Sequence, residues 1–162
     1  MGVLSFEEAV RAYSDTVYRV ALNILANPED SKDAMQNVFL RYYKKQNIFE
    51  SEEHVKAWLI RVAVNESKRI LKHNSKNQSV SLDEIANTLF AESKEEIGVY
   101  KEVMKLSSKY RTVILLYYYE GYTVRDIADI LKVNPATVRT QLSRARELLK
   151  NNLKEIKEDY YE

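Results

Sequence analysis

The segment TVRDIADILKVNPATVRTQLSRARELLK, residues 123–150, constrains the fold more than any other part of the chain. Thr123 with Asp126 three residues later is a capping-box pattern, which predicts a helix start. Asn134 followed by Pro135 predicts a second start, because asparagine caps helices and proline suits their first turn. Apolar residues recur at helical spacing after each start. The segment is therefore predicted to form two helices joined by a tight turn, a helix-turn-helix.

The second of these helices is predicted to divide into a buried stripe and a polar surface. Its apolar positions fall within one narrow stripe: Val138, Leu142, Ala145 and Leu149. The opposite surface carries arginine, glutamine and threonine, whose side chains bond base edges in the major groove of DNA. The residues predicted to contact DNA are Thr137, Arg139, Thr140, Gln141, Ser143 and Arg144. A solvated helix face is the plain alternative, but two helix starts in register favour DNA binding.

Positive charge is concentrated where DNA binding needs it. The whole chain has a net charge of only +1. Residues 106–150, however, carry eight basic and four acidic side chains, whereas residues 151–162 carry two basic and four acidic ones. This distribution is consistent with phosphate contacts by the helix-turn-helix.

The rest of the chain also favours helices, since 162 residues include only three Gly and two Pro, and 45% are hydrophobic. Helices are predicted to begin at a capping box formed by Ser5 and Glu8, at Asn27–Pro28, and at about His54. The polar run at residues 74–79 lacks periodicity. The expected fold is all-α, with two small helical domains joined by a flexible linker and the helix-turn-helix in the C-terminal domain. The predicted bounds are residues 1–75, a linker at 76–92, and residues 93–162.

Residues 93–121 are predicted to form two more helices. Ser93 is expected to cap the first, Ser107 or Ser108 to cap the second, and Gly121 to end it. The run Tyr117–Tyr119 is expected to serve mostly core and interlobe packing, because Tyr117 and Val113 share a helix face with Tyr110 and Ile114.

The sequence shows no pattern of catalytic chemistry. It has no Cys and no Gly-rich phosphate loop, and its two His, His54 and His73, lack companion ligands and are expected at helix ends. We therefore expect no enzymatic activity, no cofactor and no metal site. Without a signal-like N-terminus or an apolar run of membrane length, we expect a cytoplasmic protein with no direct membrane insertion.

The predicted third helix, which ends near His73, carries one basic stripe on an otherwise apolar surface. The stripe contains Arg61, Asn65, Lys68, Arg69 and Lys72, with Trp58 at its edge. A single stripe of this kind suits contact with a polyanion. A solvated seam on a helical bundle explains the same spacing almost equally well.

Three segments in this order resemble the extracytoplasmic-function sigma factors, the smallest class of specificity subunits of bacterial RNA polymerase. SKDAMQNVFLRYYKK is similar to the family's polymerase-docking helix, and HVKAWLIRVAVNESKRILK to its helix for the downstream promoter element. Residues 106–149 are similar to its upstream-element domain. The third helix carries the family's aromatic-Leu-x-Arg-x-Ala-x-Asn run from Trp58 to Asn65.

The resemblance implies a protein that binds core RNA polymerase and promoter DNA to initiate transcription, with an anti-sigma factor as an expected partner. The polymerase contacts that it implies are Asp33, Gln36, Asn37, Phe39 and Leu40. The basic stripe and the loop before it would hold the non-template strand of the downstream element, with Phe49 and Trp58 as candidates for base stacking. For Trp58, core packing is the favoured expectation.

Some positions depart from the family pattern. Lys32 and Asn37 stand where members often carry acids, and Gln141 stands where many carry arginine. The first two predict a less negative docking surface, and Gln141 predicts an altered promoter preference. Two other functions fit the residues: a stand-alone helix-turn-helix regulator, which would bind DNA tightly without polymerase, and a sigma-like interaction module that docks without initiating transcription.

Overall fold

The computed structural model describes residues 3–45, 48–73 and 94–161, with side chains described between 97 and 153 in the last range. Contacts between Cα atoms divide the chain into two compact units, residues 1–79 (unit 1) and 80–162 (unit 2). Within the described ranges all regular structure is helical. This confirms the all-α prediction. The predicted linker at 76–92 and the predicted cap at Ser93 lie outside the described residues.

The described residues of unit 1 form three helices that pack pairwise against one another: α1 (Phe6–Leu25), α2 (Pro28–Lys45) and α3 (Glu52–His73). The capping box of α1 is formed in both directions, with the Ser5 N–H donating to Glu8 Oε2 at 3.2 Å and the Glu8 N–H donating to Ser5 Oγ at 3.1 Å. Asn27 caps α2 by accepting from the Asp30 N–H at 3.1 Å. Both predicted starts are confirmed.

Helix α3 begins two residues before the predicted start at His54. Ser51 accepts a hydrogen bond from the His54 N–H at 3.1 Å, so it acts as the cap that the sequence pattern missed. Both apolar faces of α3 are buried, including Leu59 and Ile60 at 0% exposure. The helix is therefore enclosed on most sides, as predicted, and leaves a single exposed stripe.

Unit 2 contains α4 (Lys94–Lys105), α5 (Ser108–Ile114), a π-helical turn (Leu115–Tyr119), α6 (Val124–Leu131) and α7 (Pro135–Tyr161). Helices α4, α5 and α6 all contact α7, which is the central element of this unit. Gly121 follows the π-helical turn with a φ of 74°, a left-handed conformation that glycine adopts without strain. Helix α7 continues past Lys150, so the acidic C-terminal segment extends the helix as far as Tyr161.

Ser107 occupies the N-cap position of α5, as predicted, although its side chain makes no capping hydrogen bond. Tyr117 is half-buried, whereas Tyr118 is 54% and Tyr119 36% exposed, so the tyrosine run packs in the core of unit 2 only in part. The π-helical turn rotates these residues out of the α-helical register from which their burial was predicted.

The helix-turn-helix forms as predicted. Thr123 and Asp126 make both bonds of the capping box, at 3.2 and 3.1 Å. Lys132, with a φ of 56°, ends α6 in the left-handed conformation and begins the turn. Asn134 Oδ1 then accepts from the Ala136 N–H at 2.9 Å at the start of α7. These local bonds fix where α7 begins, and hence which of its residues face outward.

Candidate nucleic-acid and partner-binding surfaces

Helix α7 presents a polar surface because its apolar stripe is held in the core of unit 2. Val138, Leu142 and Ala145 are buried, at 0–1% exposure. Five of the six predicted DNA contacts are exposed, and Gln141 is half-buried at the edge of the surface. The exposed members are Thr137, Arg139, Thr140, Ser143 and Arg144. Thr137, Thr140, Gln141 and Arg144 lie together along one depression, whereas Arg139 and Ser143 are exposed farther round the helix. We call the side of α7 that carries all six residues the α7 surface.

The α7 surface adjoins an open depression of about 340 Å³ that α5 helps to form. Lys109 and Tyr110 of α5 line it beside Gln141. Periodicity along α7 could not reveal these two residues, because they reach the surface through tertiary packing. The Thr140 hydroxyl donates to the Ala136 carbonyl at 3.0 Å, which leaves its methyl group and oxygen acceptor for contacts with a base.

The predicted basic stripe of α3 is present, and we call it the α3 surface. Asn65, Lys68, Arg69 and Lys72 are exposed, while Arg61 is half-buried. Although Lys68 is exposed, neighbouring protein atoms desolvate its ammonium group and lower its pKa. Arg69 is bound to a carboxylate, as described below. The four outer members of the stripe are thus accessible together on one side of unit 1.

Phe49 and Trp58 form part of the core, so neither candidate ring offers an open face to a base in this structure. They are 6% and 9% exposed, and their rings meet edge to face at 5.3 Å. Phe49 also lies 5.5 Å from Tyr42 and 5.2 Å from the His54 ring. Trp58 falls within the polar stripe by helical spacing, but the loop before α3 folds Phe49 over it. The favoured expectation of core packing for Trp58 is confirmed.

Glu66 is a buried carboxylate that joins α2 to α3. Its side chain is 2% exposed and accepts hydrogen bonds from Asn37 Nδ2 at 2.9 Å, Arg41 Nη2 at 3.1 Å and Arg69 Nη2. Sequence reasoning missed this cluster. The spacing of residues on α3 did indicate that Glu66 is buried. Glu66 lies three residues after Ala63 and four before Ile70, which places it in the middle of an apolar helix face.

The bonds to Glu66 make the stability of unit 1 depend on pH. The hydrogen bond from Arg69 lowers the pKa of Glu66 below its usual 4.5, against desolvation, which raises it, and Asn37 and Arg41 add to the lowering. A lowered pKa stabilises the folded state above pH 4.5, and this contribution is lost as the pH falls through the lowered value.

We expect the wild-type protein to lose more unfolding free energy than Glu66→Gln between about pH 6 and pH 3, because glutamine does not titrate. Urea unfolding of both proteins across this range measures the difference. Equal losses in the two proteins would contradict the assignment of the lowered pKa to Glu66.

The predicted docking residues of α2 divide between its surface and the core. Asp33, Gln36 and Leu40 are exposed, Leu40 at 59%. Phe39 is 5% exposed because it lies on the buried side of α2, so it cannot contact a partner directly and its prediction as a docking residue is corrected. Asn37 is half-buried and bonded to Glu66.

Two exposed apolar residues that the sequence pattern did not single out lie in the last turn of α2 and just after its end. Tyr43 is 60% exposed and packs edge-on against Phe6 at 5.5 Å, and Ile48 is 64% exposed. Lys32, one of the departures from the family pattern, lies 3.7 Å from Glu29 in an exposed ion pair. Its positive charge is thus partly offset. We call the exposed face of Asp33, Gln36, Leu40 and Tyr43 the α2 surface.

Comparison with known proteins connects these surfaces to a family. The family model for sigma-70 region 2 matches residues 9–77, and the model for sigma-70 region 4 matches residues 98–149. The two matches together cover most of the chain, which belongs to the sigma-70 family of sigma factors. In this sigma factor the region 2 match contains the α2 and α3 surfaces, and the region 4 match contains the helix-turn-helix.

Relatives of this sigma factor resemble it over most of their length. It is 29% identical to the sigma factor SigW of Bacillus subtilis, over 94% of this chain and 90% of that protein. It is 26% identical to SigM of the same species, over 91% of this chain and 94% of that protein. The sigma-E factor of Haemophilus influenzae is 29% identical, over 76% of this chain and 75% of its own length.

Two solved structures share the fold of this sigma factor. The sigma factor RpoE of Bartonella quintana, solved in complex with the anti-sigma factor NepR, matches with a TM-score of 0.67 and 21% identity, over 92% of this chain and 96% of its own. CnrH, solved with the cytosolic domain of CnrY, matches with a TM-score of 0.70 and 21% identity, over 93% of this chain and 88% of its own.

In the part of the sigma factor that the structure describes, no three His, Cys, Asp or Glu side chains come together as metal ligands. His54 and His73 are both exposed near the ends of α3, as predicted. No helix in the described ranges is both long and apolar enough to cross a membrane.

Proposed function

We propose that this sigma factor contacts the upstream promoter element through the α7 surface and the downstream element through the α3 surface, while the α2 surface binds core RNA polymerase. The α7 surface carries the proposal, since Thr137, Thr140 and Arg144 lie together on a helix whose opposite side is buried. Arginine and threonine at such positions distinguish bases in the major groove. Gln141, at the rim, suits an adenine.

The downstream contact rests on the exposed side chains of α3. Asn65 offers donors and acceptors to an unpaired base, and Lys68 and Lys72 offer charge to the backbone. Since Phe49 and Trp58 are buried, we propose that bases of the downstream element are held by polar contacts and not by stacking on these rings.

Docking on polymerase is assigned to the mixed polar and apolar face of α2. Asp33 and Gln36 supply polar contacts, and Leu40 and Tyr43 expose apolar area that a partner would remove from water. Because both DNA-binding surfaces are held on one polymerase, their binding free energies combine, so each surface can bind its promoter element only weakly by itself.

This assignment places the protein with core polymerase in the cytoplasm and gives it no catalytic activity. An anti-sigma factor is proposed as a further partner, because RpoE of Bartonella quintana was solved with one. The stand-alone regulator does not explain a match to sigma-70 region 2 over residues 9–77. The other alternative, a sigma-like module that docks without initiating transcription, is distinguished by a transcription assay, in which it would yield no transcript.

Arg144→Ala is expected to weaken recognition of the upstream element by about 1–3 kcal/mol, through loss of contacts with a base edge. The measurement is holoenzyme affinity for a promoter selected from genomic fragments, compared with the same promoter carrying a scrambled upstream element. Lys150→Ala, also exposed on α7, is the matched control and should weaken both DNAs equally. Equal weakening of both DNAs by Arg144→Ala would contradict the assigned surface.

A further inference from the structure

The depression beside the α7 surface has walls from two helices of unit 2. Helix α5 contributes Lys109 and Tyr110, and the α7 wall includes Gln141 and Arg144. Tyr110 is half-buried, so the protein holds part of its ring while the rest borders the depression. A group that enters the depression beside Gln141 therefore meets an aromatic ring as well as a carboxamide.

The position of the Tyr110 ring is restrained by its neighbours on α5. The Tyr110 N–H donates to the Ser107 carbonyl at 3.1 Å, in the first turn of the helix. The Lys109 ammonium lies 5.0 Å from the centre of the ring, within the range of a cation–π contact. Such a ring offers an apolar contact at a low cost in side-chain entropy, because only two torsions must be fixed.

The carboxamide and the ring together match the major-groove edge of one kind of base pair. The Gln141 carboxamide, which makes no hydrogen bond among the described residues, is able to bridge N6 and N7 of an adenine. The thymine of the same pair presents a C5 methyl group in the same groove, and apolar contact recognises this methyl group. Gln141 and Tyr110 side by side therefore suit the two halves of an A·T pair.

We propose that Tyr110 is a specificity-determining residue for the upstream element, with its ring packed on the methyl group of a thymine. That thymine belongs to the A·T pair that Gln141 contacts, or to the pair next to it. The inference rests on the proposed function, because it requires the α7 surface to lie in the major groove. It adds a base contact from α5, outside the helix-turn-helix.

The test compares thymine with uracil, since the two bases differ only by the C5 methyl group. Holoenzyme is assembled from core polymerase and the full chain. Fluorescent promoter DNA is prepared with an A·T pair at each upstream position in turn, and anisotropy gives the affinity for each DNA and for its A·U counterpart. The ratio of the two affinities is independent of the active fraction of protein, so a partly unfolded variant still gives an interpretable result.

At one upstream position, we expect the wild type to bind A·T DNA roughly fourfold more tightly than A·U DNA, the order of one buried methyl group. Tyr110→Ala should abolish this preference, whereas Tyr110→Phe, which keeps the ring, should preserve it. Tyr118→Ala is the matched control, because Tyr118 is an exposed tyrosine of unit 2 that is bonded to Arg146 and does not line the depression. This control should show the wild-type preference.

The base that Gln141 contacts is located separately with 7-deazaadenine, which lacks the N7 acceptor. This replacement should weaken wild-type binding roughly fivefold at one adenine, the order of one hydrogen bond. It should have no effect at that adenine in Gln141→Ala. We expect the adenine to lie in the same pair as the methyl-sensitive thymine, or in the adjacent pair.

The inference is overturned if no position shows a preference for thymine over uracil that Tyr110→Ala abolishes. It is also overturned if that position is not within one pair of an adenine that Gln141 contacts. Arg144→Ala separates these failures from failure of the proposed function. If Arg144→Ala weakens binding to the intact upstream element more than to a scrambled one, only the role of Tyr110 is wrong. If it weakens both DNAs alike, the α7 surface itself is wrongly assigned.

Discussion

Replacing Trp58 with alanine is expected to lower the free energy of unfolding of unit 1 by about 3–5 kcal/mol. The indole is 9% exposed and packs against Phe49 at 5.3 Å and Tyr42 at 6.2 Å. Removing it leaves a cavity between α2, α3 and the loop that joins them. Chemical denaturation followed by circular dichroism, with hydrogen exchange to separate the two units, measures the loss.

Trp58→Phe is the control for this prediction, since it keeps an apolar ring at the same position. We expect it to retain most of the stability and to support downstream DNA binding close to the wild-type level. A Trp58→Ala protein with unchanged stability that no longer binds single-stranded downstream DNA would contradict the core assignment. That result would instead favour stacking of a base on the indole.

Replacing Leu142 with alanine is expected to destabilise unit 2 by about 2–5 kcal/mol. Leu142 is 1% exposed on α7, the helix that α4, α5 and α6 all contact. The neighbouring Gln141 and Ser143 are left in place, so any loss of upstream recognition arises from the scaffold and not from missing base contacts. Thermal and urea unfolding, with DNA binding measured well below the transition, separate the two effects.

Leu148→Ala provides the matched control, because Leu148 lies on the same helix but is 43% exposed. A change at such a surface position is expected to alter stability by no more than about 0.5 kcal/mol. If the two alanine variants unfolded alike, the buried stripe of α7 would be wrongly assigned.

The parts of the fold that depend on local hydrogen bonds could be predicted from the sequence. The capping pairs Ser5–Glu8 and Thr123–Asp126 form as expected, because both partners lie within one helical turn. The outward residues of α7 were also predictable, since one stripe is apolar and a helix can bury only one side against the rest of unit 2.

The remaining features depend on contacts between separate helices and loops, which the spacing of apolar residues along one helix cannot reveal. Phe49 covers Trp58 from a loop, so a helical projection places the indole in the polar stripe although it is buried. Glu66 is charged yet enclosed, because its partners Asn37 and Arg41 come from another helix. Phe39 occupies a position of the family motif, but the motif alone does not show whether its side chain contacts a partner or packs in the core beneath α2.

We propose that two DNA-binding surfaces and one docking surface act together on core polymerase. Run-off transcription on genomic fragments, with core polymerase and the purified chain, tests this proposal. We expect discrete transcripts that require both components, weak DNA binding by the chain alone, and loss of those transcripts in an Arg144→Ala/Asn65→Ala double variant. Tight specific DNA binding without polymerase, or core binding with no initiation from any fragment, would contradict it.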